Sequence, residues 1–203
     1  AVTADGKTIG WSPADTHASY YTSDYGKTWE QCEGISADYY VFADTVNKDY
    51  VYAAGGSKFC VSSDGGKTFS ETFVSVSTSK RFAQPYGIEG KIVLALGSSL
   101  AISTDYGQNF EVIKTVDACD AVGVGKASEE GKPYVIYIWG EANEQGEGVY
   151  ASEDEGLTWK KLTDDQHQFG GTGNGAFVIG DYNEYGTFYM STVGLGVIKG
   201  SVK

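Results

Sequence analysis

Carboxylates, hydroxyls and aromatic rings recur in this 203-residue chain at a fixed internal spacing. Four octapeptides, at 22–29, 62–69, 103–110 and 152–159, share the pattern Ser/Thr-x-Asp-x-Gly-x-x-Trp/Phe. Their acids are Asp24, Asp64, Asp105 and Asp154, their glycines Gly26, Gly66, Gly107 and Gly156, and their closing aromatics Trp29, Phe69, Phe110 and Trp159. A carboxylate can act as a general acid or base, so four acids invite a catalytic reading. Their regularity argues against it, because four equivalent sites would be needed where a reaction uses one. In a tight turn the carboxylate accepts hydrogen bonds from downstream amides, glycine supplies a positive φ, and the Ser or Thr hydroxyl bonds back across the turn. The aromatic then opens the next strand and packs between neighbouring sheets. These residues are expected to be structural staples.

The remaining candidates for chemistry are few. Two histidines, His17 and His167, sit in opposite halves of the chain and support neither a metal set nor a Ser-His-Asp arrangement. No metal and no cofactor is expected. Cys32, Cys60 and Cys119 lie far apart without a C-x-x-C spacing, and Cys60 between Phe59 and Val61 reads as a small buried hydrophobe. Gly123-Val124-Gly125-Lys126 lacks the spacing and following Ser/Thr of a phosphate loop. The acidic loops holding Asp117/Asp120 and Glu153/Glu155 contain no D-x-D-x-D-G calcium pattern.

The elements that position the octapeptides are short strands. Ser19-Tyr20-Tyr21, Phe59-Cys60-Val61, Leu100-Ala101-Ile102 and Gly148-Val149-Tyr150 precede the four copies. Tyr50–Ala54, Ile92–Leu96 and Tyr134–Ile138 form a second set, rich in β-branched and aromatic residues and closed by turn residues. A fifth unit runs from Thr187–Ser191 to Gly194–Ile198, with a glycine turn in place of the acidic box. No window shows helical spacing, so the chain is expected to be all-β. A period of about 40–50 residues matches one propeller blade, which predicts four Asp-bearing blades and a degenerate terminal one, as a single domain or fragment over 1–203.

With 41% hydrophobic residues, 28 glycines and 15 tyrosines, the composition is that of a folded, turn-rich domain. Fifteen basic against 27 acidic residues give a net charge of -12, which repels phosphate backbones and anionic lipid faces, so neither nucleic acid nor a membrane is an expected partner. No apolar run has the length of a membrane span, and Ala1–Asp5 lacks a basic region followed by an apolar stretch, so any export signal is expected to have been removed already.

The octapeptide resembles the Asp-box, or BNR repeat, of sialidases, sortilin-type receptors, photosystem assembly factors and the xyloglucanases of glycoside hydrolase family 74. Further segments are similar to the C-terminal part of family 74: residues 4–13 (ADGKTIGWSP), 122–127 (VGVGKA), 163–170 (TDDQHQFG), and 178–181 (VIGD) with 194–198 (GLGVI). This resemblance implies two seven-bladed β-propellers flanking a cleft for xylose-branched β-1,4-glucan, and inverting hydrolysis by two carboxylates about 6.5–9.5 Å apart. In the family the acid lies in a Gly-Asp stretch followed by Gly-Phe. The only Gly-Asp here, Gly180-Asp181, is followed by Tyr182-Asn183 and matches the last blade instead. The resemblance therefore implies the last four to five blades of a larger secreted enzyme, with no catalytic residue in this chain and no hydrolysis by the chain alone.

What the resemblance leaves to this chain is contact with glycan. Aromatic rings stack on pyranose C–H faces, and amides or carboxylates bind hydroxyls. The substrate-binding candidates are Trp139, placed at the end of the Tyr134–Ile138 strand before the polar loop 140–146; His167 and Gln168, among Asp164, Asp165 and Gln166; and Trp11, before the Ser12-Pro13 turn. A core or rim role is open for Trp11, and an inter-blade hydrogen-bond network for His167. The expected partners are a plant cell-wall polysaccharide, xyloglucan or a related β-glucan, and the remainder of the parent enzyme or another copy covering the terminal blades. The competing reading is a stand-alone Asp-box module that binds a polysaccharide or a protein without catalysis. A purely structural or assembly role is disfavoured by the DDQHQFG segment.

Overall fold

The computed structural model describes residues 1–15, 18–74, 81–164, 166, 169–173 and 177–202. Among them there is no α-helix; eighteen strands form five antiparallel sheets. The first contains β1 (Ile9–Trp11), β2 (Tyr20–Thr22) and β3 (Glu30–Gln31), and Val2 forms an isolated antiparallel bridge with Ile9. The second is β4 (Tyr40–Ala43), β5 (Val51–Gly55), β6 (Lys58–Ser62) and β7 (Ser70–Val74). The third is β8 (Phe82–Ala83), β9 (Ile92–Ala95), β10 (Leu100–Ser103) and β11 (Glu111–Ile113), and the fourth is β12 (Val116–Gly125), β13 (Val135–Ala142), β14 (Gly148–Ser152) and β15 (Lys160–Lys161). The last sheet has three strands, β16 (Val178–Gly180), β17 (Thr187–Ser191) and β18 (Val197–Ser201). Each sheet is an up-and-down meander whose neighbours in sequence are neighbours in space. This is the blade construction expected of a β-propeller.

The sequence explains which strands lie inside. β5 (VYAAG), β9 (IVLA), β10 (LAIS) and β14 (GVYAS) are buried at every residue, because each is covered on both faces and so loses the apolar/polar alternation of a half-exposed strand. The strands that follow the boxes are short and carry charge: EQ, SETFV, EVI and KK. Charged, short strands suit a sheet edge, where they discourage further pairing.

The chain groups into two compact units, one of residues 1–80, 86–92 and 103–110, the other of 81–85, 93–102 and 111–203. The first has its core in Tyr21, Cys32, Ile35, Ala43, Val51, Ala53, Cys60 and Phe69, contributed by its first two sheets. The second is built on two clusters, one around Val93, Leu100, Ile136, Tyr150 and Trp159 and one around Val135, Tyr137, Trp139, Val178 and Phe188.

Two expectations need correction. The Tyr134–Ile138 strand does not stop at Trp139: β13 continues to Ala142, with Trp139 paired to Val149 and Gly140 to Gly148. Gly140 reads as a turn in sequence, yet it serves close approach, since a Cβ there would lie 1.9 Å from the Ala118 carbonyl oxygen. In the last sheet the glycine turn 192–196 joins β17 to β18, the place occupied in the second sheet by the 55–58 hairpin. It is thus the hairpin before the third strand and does not stand where a box would be.

Candidate functional site

The four boxes share one hydrogen-bond pattern. In the first, the Thr22 hydroxyl donates to Asp24 Oδ1 (2.8 Å) and accepts from the Gly26 amide (3.0 Å), while Thr28 donates its amide to Oδ1 (2.9 Å) and its hydroxyl to Oδ2 (2.7 Å). Asp64 repeats these bonds with Ser62 and Thr68, Asp154 with Ser152 and Thr158, and Asp105 with Ser103 and the Asn109 amide and side chain. The glycine is left-handed in each, and so is the residue before it: Tyr25, Gly65, Tyr106 and Glu155 have φ of 62°, 79°, 62° and 59°. That second left-handed residue is not marked in the sequence, where Tyr and Glu occupy three of the four positions.

These bonds fix the electrostatics of the acids. The Thr28 amide, followed by the Thr28 and Thr22 hydroxyls, holds the Asp24 carboxyl down to about 2. The Asn109 side chain leads in lowering Asp105. For Asp64 and Asp154 burial pushes upward, and hydrogen bonds from Thr68 and Ser62, or from Thr158 and Ser152, outweigh it. A general acid requires the opposite, a carboxyl raised toward neutrality.

A second acid motif, missed in the sequence, joins the first two strands of a sheet. Buried Asp44 follows β4 and accepts the Tyr52 hydroxyl (2.7 Å), the Val46 and Asn47 amides (2.9 Å each) and the Gly90 amide (2.9 Å). Asp181 follows β16 and accepts the Asn183 and Glu184 amides (2.7 and 3.0 Å) and, at 3.4 Å, the Tyr189 hydroxyl. Both are Asp-x7-Tyr pairs, a spacing visible in the sequence. Asp44 is lowered because these bonds outweigh burial, and Asp181 chiefly by the Asn183 and Glu184 amides. The Gly180-Asp181 pair is therefore part of a turn staple. The Pro85–Gly90 segment serves the Asp44 staple too, with Gly87 donating to the Thr45 hydroxyl (3.2 Å) and Glu89 accepting from Asn47 (2.8 Å) and the Tyr106 hydroxyl.

In these meanders the strand-one-to-two turns and the boxes lie at one end, while the strand-two-to-three hairpins and the connections to the next sheet lie at the other. The candidate binding residues distribute unevenly. Trp139 is 3% exposed, packed in the second unit's core, and donates its indole N–H to Glu147 Oε1 (3.2 Å). Its ring offers no open face for stacking, which corrects the expectation of a loop-mouth platform. His167 and Gln168 lie outside the described residues, as does His17. Trp11 is 54% exposed and meets Trp29 edge-on (5.9 Å) and Tyr20 at a tilt (6.3 Å). Trp29 was expected to pack between sheets but is 42% exposed. Burial pushes the Cys32 and Cys60 thiols up to about 11, away from thiolate chemistry. Among the described residues no group of three or more His, Cys, Asp or Glu is arranged to hold a metal ion.

Comparison with known proteins agrees with this architecture. The BNR/Asp-box repeat model matches residues 20–31. The chain is 36% identical over 204 residues to the xyloglucanase Xgh74A of Acetivibrio thermocellus, a match covering 98% of the chain and 24% of that protein. The GH74 enzyme of Niastella koreensis superposes with a TM-score of 0.88 at 34% identity, over 98% of this chain and 30% of that one. The GH74 xyloglucanase of Xanthomonas campestris does so with a TM-score of 0.87 at 26% identity, over 100% and 29%. The chain thus spans about a quarter of the length of the curated relative and under a third of each solved structure. Repeated boxes, meander sheets and similarity along the whole chain together identify it as a partial region of glycoside hydrolase family 74.

Proposed function

We propose that this chain is the C-terminal propeller portion of a secreted xyloglucan-degrading hydrolase, its five sheets being successive blades of a seven-bladed propeller. In that role it forms one wall of a glycan cleft and supplies hydroxyl-binding contacts, while the catalytic acid and base belong to another part of the enzyme. The observation that carries the reading is similarity to a xyloglucanase over 98% of the chain. The direction in which Asp24, Asp44, Asp64, Asp105, Asp154 and Asp181 are shifted supports the absence of a general acid among them. Glycan contact is assigned to the segment 163–170, whose sequence carries Asp164, Gln166, His167 and Gln168. The box end is occupied by its own hydrogen bonds, whereas loops on a rigid scaffold are free to vary toward a ligand.

The test is calorimetric titration of the chain with xyloglucan oligosaccharides, run beside a reducing-sugar assay on the same sample. Binding without new reducing ends is the expected result. Turnover would overturn the assignment of the catalytic pair elsewhere, and absence of both would overturn the glycan-contact role.

A further inference from the structure

Trp139 is closed to sugar, yet its indole holds a group that is not. The exposed Glu147, one residue before β14, accepts the Trp139 indole N–H through Oε1 (3.2 Å). Among the described residues its second oxygen, Oε2, has no hydrogen-bond or ion-pair partner. The hairpin that carries Glu147 is fixed by its own bonds. Gln145 donates its amide to the Ala142 carbonyl (3.3 Å), Gly146 to Glu141 Oε1 (2.9 Å) and Glu144 to Asp117 Oδ2 (3.0 Å). Lys161 Nζ donates to the Gln145 and Gly146 carbonyls (2.7 and 3.3 Å), and the Tyr150 hydroxyl donates to Gly146 as well. Asn143 and Glu144 are both left-handed (φ 53° and 56°), a conformation that costs a non-glycine residue energy and persists where surrounding bonds enforce it. Glu141, Asp117 and Lys161 are thus committed to holding the hairpin, and Glu147 is presented by it.

Both ends of the 163–170 segment arrive at the neighbours of this carboxylate. At the start, Leu162 donates its amide to the Val149 carbonyl (2.8 Å) and the buried Thr163 accepts the Val149 amide on its hydroxyl (3.1 Å). Thr163 is thereby set against Gly148, where a Cβ would lie 2.4 Å from its hydroxyl oxygen. At the end, Phe169 packs on the core cluster that contains Trp139, and a Cβ on Gly171 would lie 3.6 Å from the Trp139 indole nitrogen. That nitrogen is the one bonded to Glu147. The chain then continues onto β17, with the Thr172 carbonyl accepting the Ser191 hydroxyl. All of these residues belong to the second compact unit.

Resting on the glycan-contact reading above, we infer that Glu147 is a specificity-determining residue whose carboxylate accepts a sugar hydroxyl beside the 163–170 segment, and that Trp139 is the positioning residue that aims it. A carboxylate already held by a buried indole has little rotamer freedom left to lose when a hydroxyl binds. The hydrogen bond it accepts is charge-assisted, and so roughly twice as strong as one between neutral groups. An ionised carboxylate only accepts, which selects a hydroxyl donor on the ligand. Asp117, Glu141 and Glu144 in and around the same hairpin add negative charge, so the site favours a neutral sugar over a uronic acid.

The experiment is calorimetric titration of the whole chain with a xyloglucan oligosaccharide, beside NMR of protein labelled at its tryptophan indole nitrogens, with the folding of each variant verified by circular dichroism. Glu147→Ala is expected to weaken binding about tenfold without moving the urea midpoint, since the side chain is exposed. Trp139→Phe keeps a ring in the core but lacks the N–H, and is expected to weaken binding about threefold. In the Glu147→Ala background the same change should cost no further affinity, because Trp139 acts through Glu147. Glu144→Ala, which removes an equal charge from the same hairpin, should bind as wild type. The Trp139 indole resonance, identified by its absence in Trp139→Phe, is expected to shift when oligosaccharide is added to wild type and to stay put in Glu147→Ala. An oligogalacturonide is expected not to compete. Binding that is intact in Glu147→Ala, or equally weakened in Glu144→Ala, would overturn the assignment of Glu147 and leave the glycan-contact role standing. Additive losses in the double variant, or an indole resonance indifferent to the sugar, would overturn the positioning role of Trp139, and competition by the oligogalacturonide would overturn the preference for a neutral sugar. A wild-type chain that binds no oligosaccharide would overturn the glycan-contact reading, and the roles of Glu147 and Trp139 with it.

Discussion

Asp24 illustrates how a chemically capable residue is committed to architecture. Its carboxylate accepts the Thr22 hydroxyl and both the amide and hydroxyl of Thr28, so the charged form is favoured and the carboxyl is held down to about 2 from an ordinary 3.8. Because the folded value lies below the unfolded one, the stabilisation is complete above about pH 3.8 and is lost as pH falls through 3.8 toward about 2. The other three boxes shift in the same direction, so acid unfolding is expected to be cooperative in this window and to be followed by far-UV circular dichroism. Asp44 is the more consequential single residue, being buried with four donors converging on it. Asp44→Ala removes the Asp44 carboxylate from the Tyr52 hydroxyl and frees the 44–47 turn, an expected loss of about 2–3 kcal/mol in urea unfolding. The Tyr52→Phe variant should cost less, about 1 kcal/mol, because the Asp44 carboxylate keeps its three amide donors. The box motif is evident in the sequence because every one of its bonds is local. The Asp44 staple was missed because one of its partners, Gly90, lies 46 positions away.

At the scale of strands and turns, local sequence foretold the meander well where it alternated strand and turn, and poorly where a glycine served packing. Gly34 shows the second case. It has φ +84°, and a Cβ on it would fall 2.0 Å from the Phe69 carbonyl oxygen, at the seam where the Phe69 amide donates to Glu33 (2.9 Å). Gly34→Ala must therefore strain its own backbone and also push the first and second sheets apart. A loss of about 3 kcal/mol or more is expected, read as a lowered midpoint in thermal or urea unfolding. Trp139 belongs to the same lesson. Its position before Gly140 and a polar run suggested an exposed loop mouth, but the β12 strand lies so close that only glycine fits at 140, and β13 runs on. Trp139→Ala is accordingly expected to act as a core deletion costing about 3–5 kcal/mol, so that any lost glycan binding would accompany lost stability.

For the molecule as a whole, the all-β class and the four boxes with their spacing were available from residue types and separations alone. They rest on interactions that close within eight residues, or on a repeat that exposes itself by self-similarity. Burial was not available in that way. Trp11, Trp29 and Trp139 are one residue type beside similar turn signals, yet two are exposed and one is in the core. The difference comes from what each ring meets: Trp139 is enclosed between the fourth and last sheets, whereas Trp11 and Trp29 meet each other on the first sheet and stay partly exposed. Sheet-to-sheet packing is a long-range property, set by registers between strands distant in sequence, and only folded coordinates disclose it.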